Sequence, residues 1–193
     1  MKALIQIISA SFDTAHQALQ RFMASEDGYS TIAEVATEIA QTFRSGGKCI
    51  IFGNGGSMCD ANHFAEEFTG RFRSDRPALP CISISEPSHL SCVANDYGFD
   101  EVFARGVQAY AKAGDMVIGI STSGSSPNVI RAMQAAKELQ CKTFVLLGRD
   151  GGALKSCCDH QIIIPGETSD RIQEVHMTIL HIIIECVEQI LYP

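Results

Sequence analysis

Hydrophobic positions along the chain fall into two rhythms. Five short uncharged stretches rich in Ile, Val and Phe occupy residues 49–52, 81–84, 116–120, 143–147 and 161–164, and between them apolar residues recur at helical spacing. Stretches apolar on successive positions suit strands covered on both faces, and the connecting segments are long enough for crossover helices. The pattern predicts an α/β fold, a parallel sheet of five strands between layers of helix. Two further helices, over 4–23 and 31–43, precede the first strand, the second ending at Gly46-Gly47, and a last helix covers 171–191.

Two of these helices carry more apolar surface than one face needs. The last contains Ile179-Leu180-His181-Ile182-Ile183-Ile184, and the first presents Leu4, Ile7, Ile8 and Phe12. A helix apolar on most sides is usually buried on most sides, and in a chain of this size another copy is the simplest cover. A symmetric homo-oligomer is expected. With 193 residues and no internal repeat, one domain spanning 1–193 is expected, its N-terminal helices at 1–45.

Composition narrows the function classes. Fifteen basic against twenty-two acidic residues give a net charge of −7, which argues against a broad grip on nucleic acid or an anionic membrane. The opening Met-Lys-Ala-Leu-Ile is basic then apolar, but Gln6 interrupts it and Asp13 and His16 follow without a cleavage pattern, so no signal peptide is expected. No run of about 18 uninterrupted apolar residues exists to span a membrane. Eight cysteines without a Cys-x-x-Cys pair read as reduced, buried thiols of a cytoplasmic protein.

The densest chemical signal is 119–128, Gly-Ile-Ser-Thr-Ser-Gly-Ser-Ser-Pro-Asn, between a buried-strand pattern and a helix start. Ser126 followed by Pro127 reads as N-cap and first helical position. Free N–H groups, the positive end of the helix dipole and the hydroxyls of Ser121, Thr122, Ser123 and Ser126 would converge on an anion there. Ordinary loop composition is the competing reading. After the first strand, Gly53-Asn54-Gly55-Gly56-Ser57 opens a helix carrying Asp60, His63, Glu66 and Glu67. It lacks the third glycine of a dinucleotide fingerprint and the Gly-Lys-Ser/Thr of a P-loop. A glycine-rich turn at the carboxyl end of a strand is nonetheless where open α/β sheets bind ligands.

His63 and Glu67 share a helix face, within reach of one ion or substrate, although such pairs are also common on plain surfaces. Glu66 points roughly 100° away, toward solvent. Asp170 and Gln173 at the last helix fit a capping box, and His181 sits in an aliphatic run where an ionisable ring needs a partner. Gln173 and His181 lie eight positions apart, about 12 Å of helix, so both reach one ion only at full stretch or from different subunits.

Together, 53–57, His63-Phe-Ala-Glu-Glu-Phe-Thr-Gly-Arg71, Asn95-Asp96, 121–126, Asp170-Arg-Ile-Gln173 and His181 resemble the sedoheptulose 7-phosphate isomerase (phosphoheptose isomerase) family, over nearly the whole chain. The resemblance implies a sugar isomerase (SIS) domain: a flavodoxin-like three-layer sandwich around a five-stranded parallel sheet. It further implies homotetramers with active sites at subunit contacts, and conversion of sedoheptulose 7-phosphate to D-glycero-D-manno-heptose 7-phosphate toward the lipopolysaccharide core. By that resemblance Ser121, Thr122, Ser123 and Ser126 bind phosphate, while Asn54, Gly55, Gly56, Ser57, Glu67, Asn95, Asp96 and Gln173 hold the sugar. His63, Glu67, Gln173 and His181 match ligands of one zinc ion per subunit, and Glu67 and His181 match the proton-transfer pair. The phosphate loop departs from the family at Ser125-Ser126-Pro127, where Gly-Asn-Ser is frequent, but keeps the hydroxyl at 126.

The residue types suit that chemistry. An aldose–ketose isomerase moves a proton between C1 and C2 through an enediol, which needs a base at carbon and an acid near oxygen. A carboxylate in a cleft and a neutral imidazole supply both, while a metal could polarise the carbonyl and make Glu67 a ligand instead. The alternative is a non-catalytic SIS scaffold binding the replication initiator DnaA. In such a relative the His-Phe-Ala-Glu-Glu stretch loses its glutamates, and here Glu66, Glu67 and His181 are all present.

Overall fold

The structure, a computed structural model, describes residues 1–193 apart from the side chain of Glu26. Helices α1 (Lys2–Met23) and α2 (Glu26–Arg44) lead into strand β1 (Cys49–Gly53), followed by α3 (Gly56–Thr69) and β2 (Cys81–Ser83). Then come α4 (Pro87–Tyr97), α5 (Val102–Tyr110), β3 (Met116–Ser121), α6 (Pro127–Glu138), β4 (Lys142–Gly148), β5 (His160–Ile164) and α7 (Ser169–Leu191). All five expected strands form, each within one or two residues at either end. The largest boundary difference is α2, which starts five residues before the expected Thr31, because Glu26-Asp-Gly-Tyr-Ser lacks an apolar stripe. Tertiary packing carries the helix through it.

The strands pair in parallel in the order β2-β1-β3-β4-β5, the flavodoxin-like arrangement. Side chains alternate between the faces as strand geometry requires. Cys49, Ile51, Met116, Ile118, Ile120, Phe144 and Leu146 face a core shared with α1, α2, α3 and α7. Ile50, Phe52, Val117, Val145 and Leu147 face a second core under α4, α5 and α6. Both faces are thus apolar, which is why the strands read as continuous hydrophobic runs.

Chain direction reverses about β1. The connection from β1 leads outward through α3 to β2, and the chain then returns to β3 on the other side. Loops leaving β1 and β3 at their carboxyl ends therefore part and leave a crevice, the switch point where such sheets take ligands. The glycine-rich turn and the serine loop are those two loops.

The surplus apolar surface is unevenly covered. In α7, Ile179, Leu180, Ile183 and Ile184 are buried within the chain, while Ile182 between them is 39% exposed. In α1, Leu4, Ile5, Ile7, Ile8 and Phe12 are all more than half exposed. The expectation of buried thiols needs correction: Cys49, Cys81 and Cys141 are buried, but Cys59, Cys92 and Cys157 are exposed. All eight are free, and no helix is long and apolar enough to cross a membrane.

Candidate active site

The glycine-rich turn is tight because three elements meet at it. A Cβ on Gly53 would stand 2.7 Å from Ser57 Cβ and 3.0 Å from the Ile120 carbonyl, so α3 starts almost on top of the strands. A Cβ on Gly56 would meet the amide of Gln173 at 2.7 Å. Gln173 lies in the first turns of α7 and donates through Nε2 to Ser57 Oγ at 3.2 Å. The expected capping box is therefore absent: Thr168 is the N-cap of α7, and Gln173 serves the turn. Asn54 and Asn128 bond reciprocally across the crevice, at 2.9 and 2.8 Å.

Because the starts of α3 and α7 meet at Ser57 and Gln173, and His63 meets His181 farther along, the two helices run side by side in one direction. His63, Glu67 and His181 each offer a ligand atom, all within 4.8 Å of one another. His63 Nε2 lies 3.3 Å from Glu67 Oε1, and the two imidazoles meet edge to face with centroids 5.0 Å apart. The Glu67 side chain is 15% exposed against 65% for Glu66, as their helical phases require. The Gln173 amide is engaged by Ser57, six residues before His63 on α3.

His181 is half-buried, with its ring beside that of His63. Phe72 stacks on it at 5.6 Å, and burial and then the adjacent His63 hold its imidazolium form below the usual histidine range. The ring is consequently neutral near neutral pH. One turn before His63, Asp60 carries a buried Oδ2 without a hydrogen-bond partner among the described residues. Burial raises that carboxyl to about 6, against a smaller lowering by His63. The other histidine of α7, His176, is structural. It is fully buried, bonds the Leu147 carbonyl through Nε2 at 2.9 Å, and burial lowers it to about 4.

Sequence reasoning missed the clamp beneath Glu67. Arg76, in the loop after α3, has a side chain only 3% exposed and donates to the carbonyls of Glu67 at 2.7 Å and Phe68 at 2.8 Å. Its Nε reaches Glu188 of α7 at 2.7 Å. A cation satisfying the last carbonyls of α3 complements the helix dipole and ties the two helices. No periodicity marks such a residue, since its value depends on chain reversal after Gly70.

The serine loop has the expected form. Ser126 is the N-cap of α6 with Pro127 first in the helix, yet Ser126 Oγ caps nothing; it lies 3.2 Å from Ser121 Oγ. Ser121 also accepts from Gly124 N–H at 3.1 Å, and Thr122 meets Ser169 of α7 at 3.0 Å. Behind the loop is a support the sequence did not reveal, the turn at Gly148, Gly151 and Gly152. A Cβ on Gly124 would stand 1.9 Å from the Gly151 carbonyl. Asn95 and Asp96 lie exposed at the end of α4, bonded to each other at 2.7 Å and, among the described residues, to no part of the turn or the serine loop.

Residues 12–148 match the SIS domain family. The phosphoheptose isomerase of Fusobacterium nucleatum is 58% identical over 184 residues, covering 95% of both chains. That of Vibrio cholerae is 48% identical over 184 residues, covering 95% of this chain and 96% of its own. Among solved structures, phosphoheptose isomerase GmhA from Neisseria gonorrhoeae superposes with a TM-score of 0.90 at 35% identity, over 96% of this chain and 99% of its own. A Francisella tularensis phosphoheptose isomerase gives 0.91 at 31% identity, over 98% and 100%. Similarity at that level over nearly the full length, on the same fold, means that the chain belongs to the phosphoheptose isomerase family of SIS-domain proteins.

Proposed function

We propose that this enzyme interconverts sedoheptulose 7-phosphate and D-glycero-D-manno-heptose 7-phosphate by proton transfer between C1 and C2 through an enediol. The observation that carries the reading is the convergence of Glu67, His63 and His181 from two helices that begin at the ligand crevice. The serine loop supplies hydroxyls and a helix N-terminus for the phosphate through Ser121, Thr122, Ser123 and Ser126, matched to a dianionic ester. The turn at 54–57, with Gln173, faces the sugar hydroxyls. Glu67 takes the proton from carbon, and His181, neutral near pH 7, exchanges protons with the carbonyl and hydroxyl oxygens. Arg76 and Phe72 hold the two groups in place.

Two imidazoles and a carboxylate grouped within 4.8 Å are a donor set that fits zinc. His63, Glu67 and His181 would hold the ion, with Gln173 as a fourth ligand only if its amide leaves Ser57. When bound, such an ion polarises the carbonyl as a Lewis acid.

The exposed apolar face of α1 supports a homo-oligomer, a tetramer by family resemblance, with Asn95 and Asp96 completing the site of a neighbouring subunit. Continuous packing of α7 against α2, α3 and the sheet supports one domain over 1–193. Eight free thiols suit a cytoplasmic enzyme supplying heptose for lipopolysaccharide. The DnaA-binding alternative has no support from the relatives, which are named as isomerases. Following sedoheptulose 7-phosphate by NMR with purified enzyme tests the assignment. Aldoheptose phosphate should accumulate to equilibrium, and an unchanged substrate spectrum would overturn it.

A further inference from the structure

The sheet ladder between β1 and β3 ends at the pair Gly53 and Ile120. Beyond it the two functional loops part, one toward α3 and the other toward α6. One side-chain rung continues the ladder. Asn54 Nδ2 donates to Asn128 Oδ1 at 2.9 Å, and Asn128 Nδ2 donates to Asn54 Oδ1 at 2.8 Å. Asn128 Oδ1 also accepts from Val129 N–H at 2.9 Å. Asn128 is 2% exposed, so its amide is dry and held from both sides, and a buried amide in this setting is costly to leave unpaired.

The location gives the pair a function. Asn128 is the second residue of α6, two after Ser126, and so moves with the phosphate seat. Asn54 precedes the start of α3, the helix that carries His63 and Glu67. The phosphate of a linear sugar is fixed at one loop while its carbonyl end is delivered to groups on the helix that starts from the other. The distance between those ends is a property of how the loops are tied. Among the described residues, the reciprocal amides are the side-chain hydrogen bonds that join the turn 54–57 to the loop 121–128.

We infer that Asn128, through its reciprocal amide pair with Asn54, is a positioning residue that sets the span between the phosphate seat and the proton-transfer groups, and thereby selects substrate chain length. The inference rests on the isomerase reading above. It assigns Asn128 no contact with substrate. It also means that one donor and one acceptor of the Asn54 side chain are directed at Asn128, leaving its backbone and outward amide edge for the sugar.

The test compares wild type, Asn128→Ala, Asn54→Ala and the double variant. It measures kcat and KM on sedoheptulose 7-phosphate and on a shorter ketose phosphate, the Ki of inorganic phosphate as competitor, and Tm. Misplacement by about 1 Å costs on the order of 10²-fold in turnover. Asn128→Ala should lose turnover on that scale with the seven-carbon substrate, lose less with the shorter one, and keep phosphate Ki within about twofold. The double variant should lose less than the sum of the two single losses, because the two amides act as one unit, and any excess over Asn128→Ala reports the outward amide edge of Asn54. Additive losses, a phosphate Ki that rises in step with KM, or a lowered Tm with wild-type kinetics would each overturn it. If Asn128→Ala does not fold, Asn128→Asp, which keeps the size and the acceptor for Val129 N–H but removes the donor to Asn54 Oδ1, carries the same comparison. Absent turnover by wild type would sink the isomerase reading itself, whereas wild-type turnover with indifferent variants sinks only the positioning role.

Discussion

Replacing Gly124 by alanine tests the phosphate seat directly. Gly124 has φ +64°, and an added Cβ would lie 1.9 Å from the Gly151 carbonyl oxygen and 2.4 Å from its carbon. Ordinary contact begins near 3.4 Å, so loop and turn must separate by about 1.5 Å. The left-handed backbone costs alanine roughly 1–2 kcal/mol, and forced separation of two packed backbones roughly 1–3 kcal/mol more. At about 2–4 °C per kcal/mol for a chain of this length, Tm should fall by roughly 4–20 °C. The larger effect is on binding. Hydroxyls moved by about 1.5 Å leave hydrogen-bond range of the phosphate, and each bond to a charged group is worth about 1.5–3 kcal/mol. Loss of two should raise KM by roughly 10²–10⁴-fold. Gly114→Ala is the control: φ is +88°, but nothing lies within 4 Å, so stability should drop by strain alone with KM unchanged. Steady-state kinetics and thermal melts on the three proteins decide the matter. A Gly124→Ala enzyme with wild-type KM would refute the placement of the phosphate.

Glu67→Gln keeps the shape of the side chain and removes the base; turnover should fall about 10²-fold or more with Tm nearly unchanged, and near-normal turnover would end its assignment. His176 binds a proton at about 4 in the folded chain against 6.5 unfolded, so the unfolded state takes up the proton first and stability falls as pH drops from 6.5 to 4. The loss from this ring is about 3 kcal/mol at the acid end, and chemical melts should show that component missing in His176→Gln. Aspartate at Ile8 and Phe12, 55% and 74% exposed on α1, should dissociate the oligomer in light scattering; an unchanged mass would place the interface elsewhere.

What the chain determined by itself was its layering. Every strand shows in the sequence because both faces of a sheet between helices must be apolar, and that requirement writes a continuous run such as Met116–Ser121. The serine loop and glycine-rich turn were also legible, since a helix that begins directly after a buried strand needs special residues at the junction. Helical phase separated Glu67 from Glu66 correctly for the same local reason. Relations between elements distant in sequence were decided only by folding. The parallel course of α3 and α7 brings His181 to His63 while keeping Gln173 at Ser57, and Arg76 becomes a clamp only because the chain turns back beneath Glu67. The Asn54–Asn128 pair joins residues 74 positions apart, and Gly151 supports Gly124 across two strand ends. A periodic pattern records which face of an element is buried, not which neighbour buries it, so those contacts exist nowhere until the layers meet.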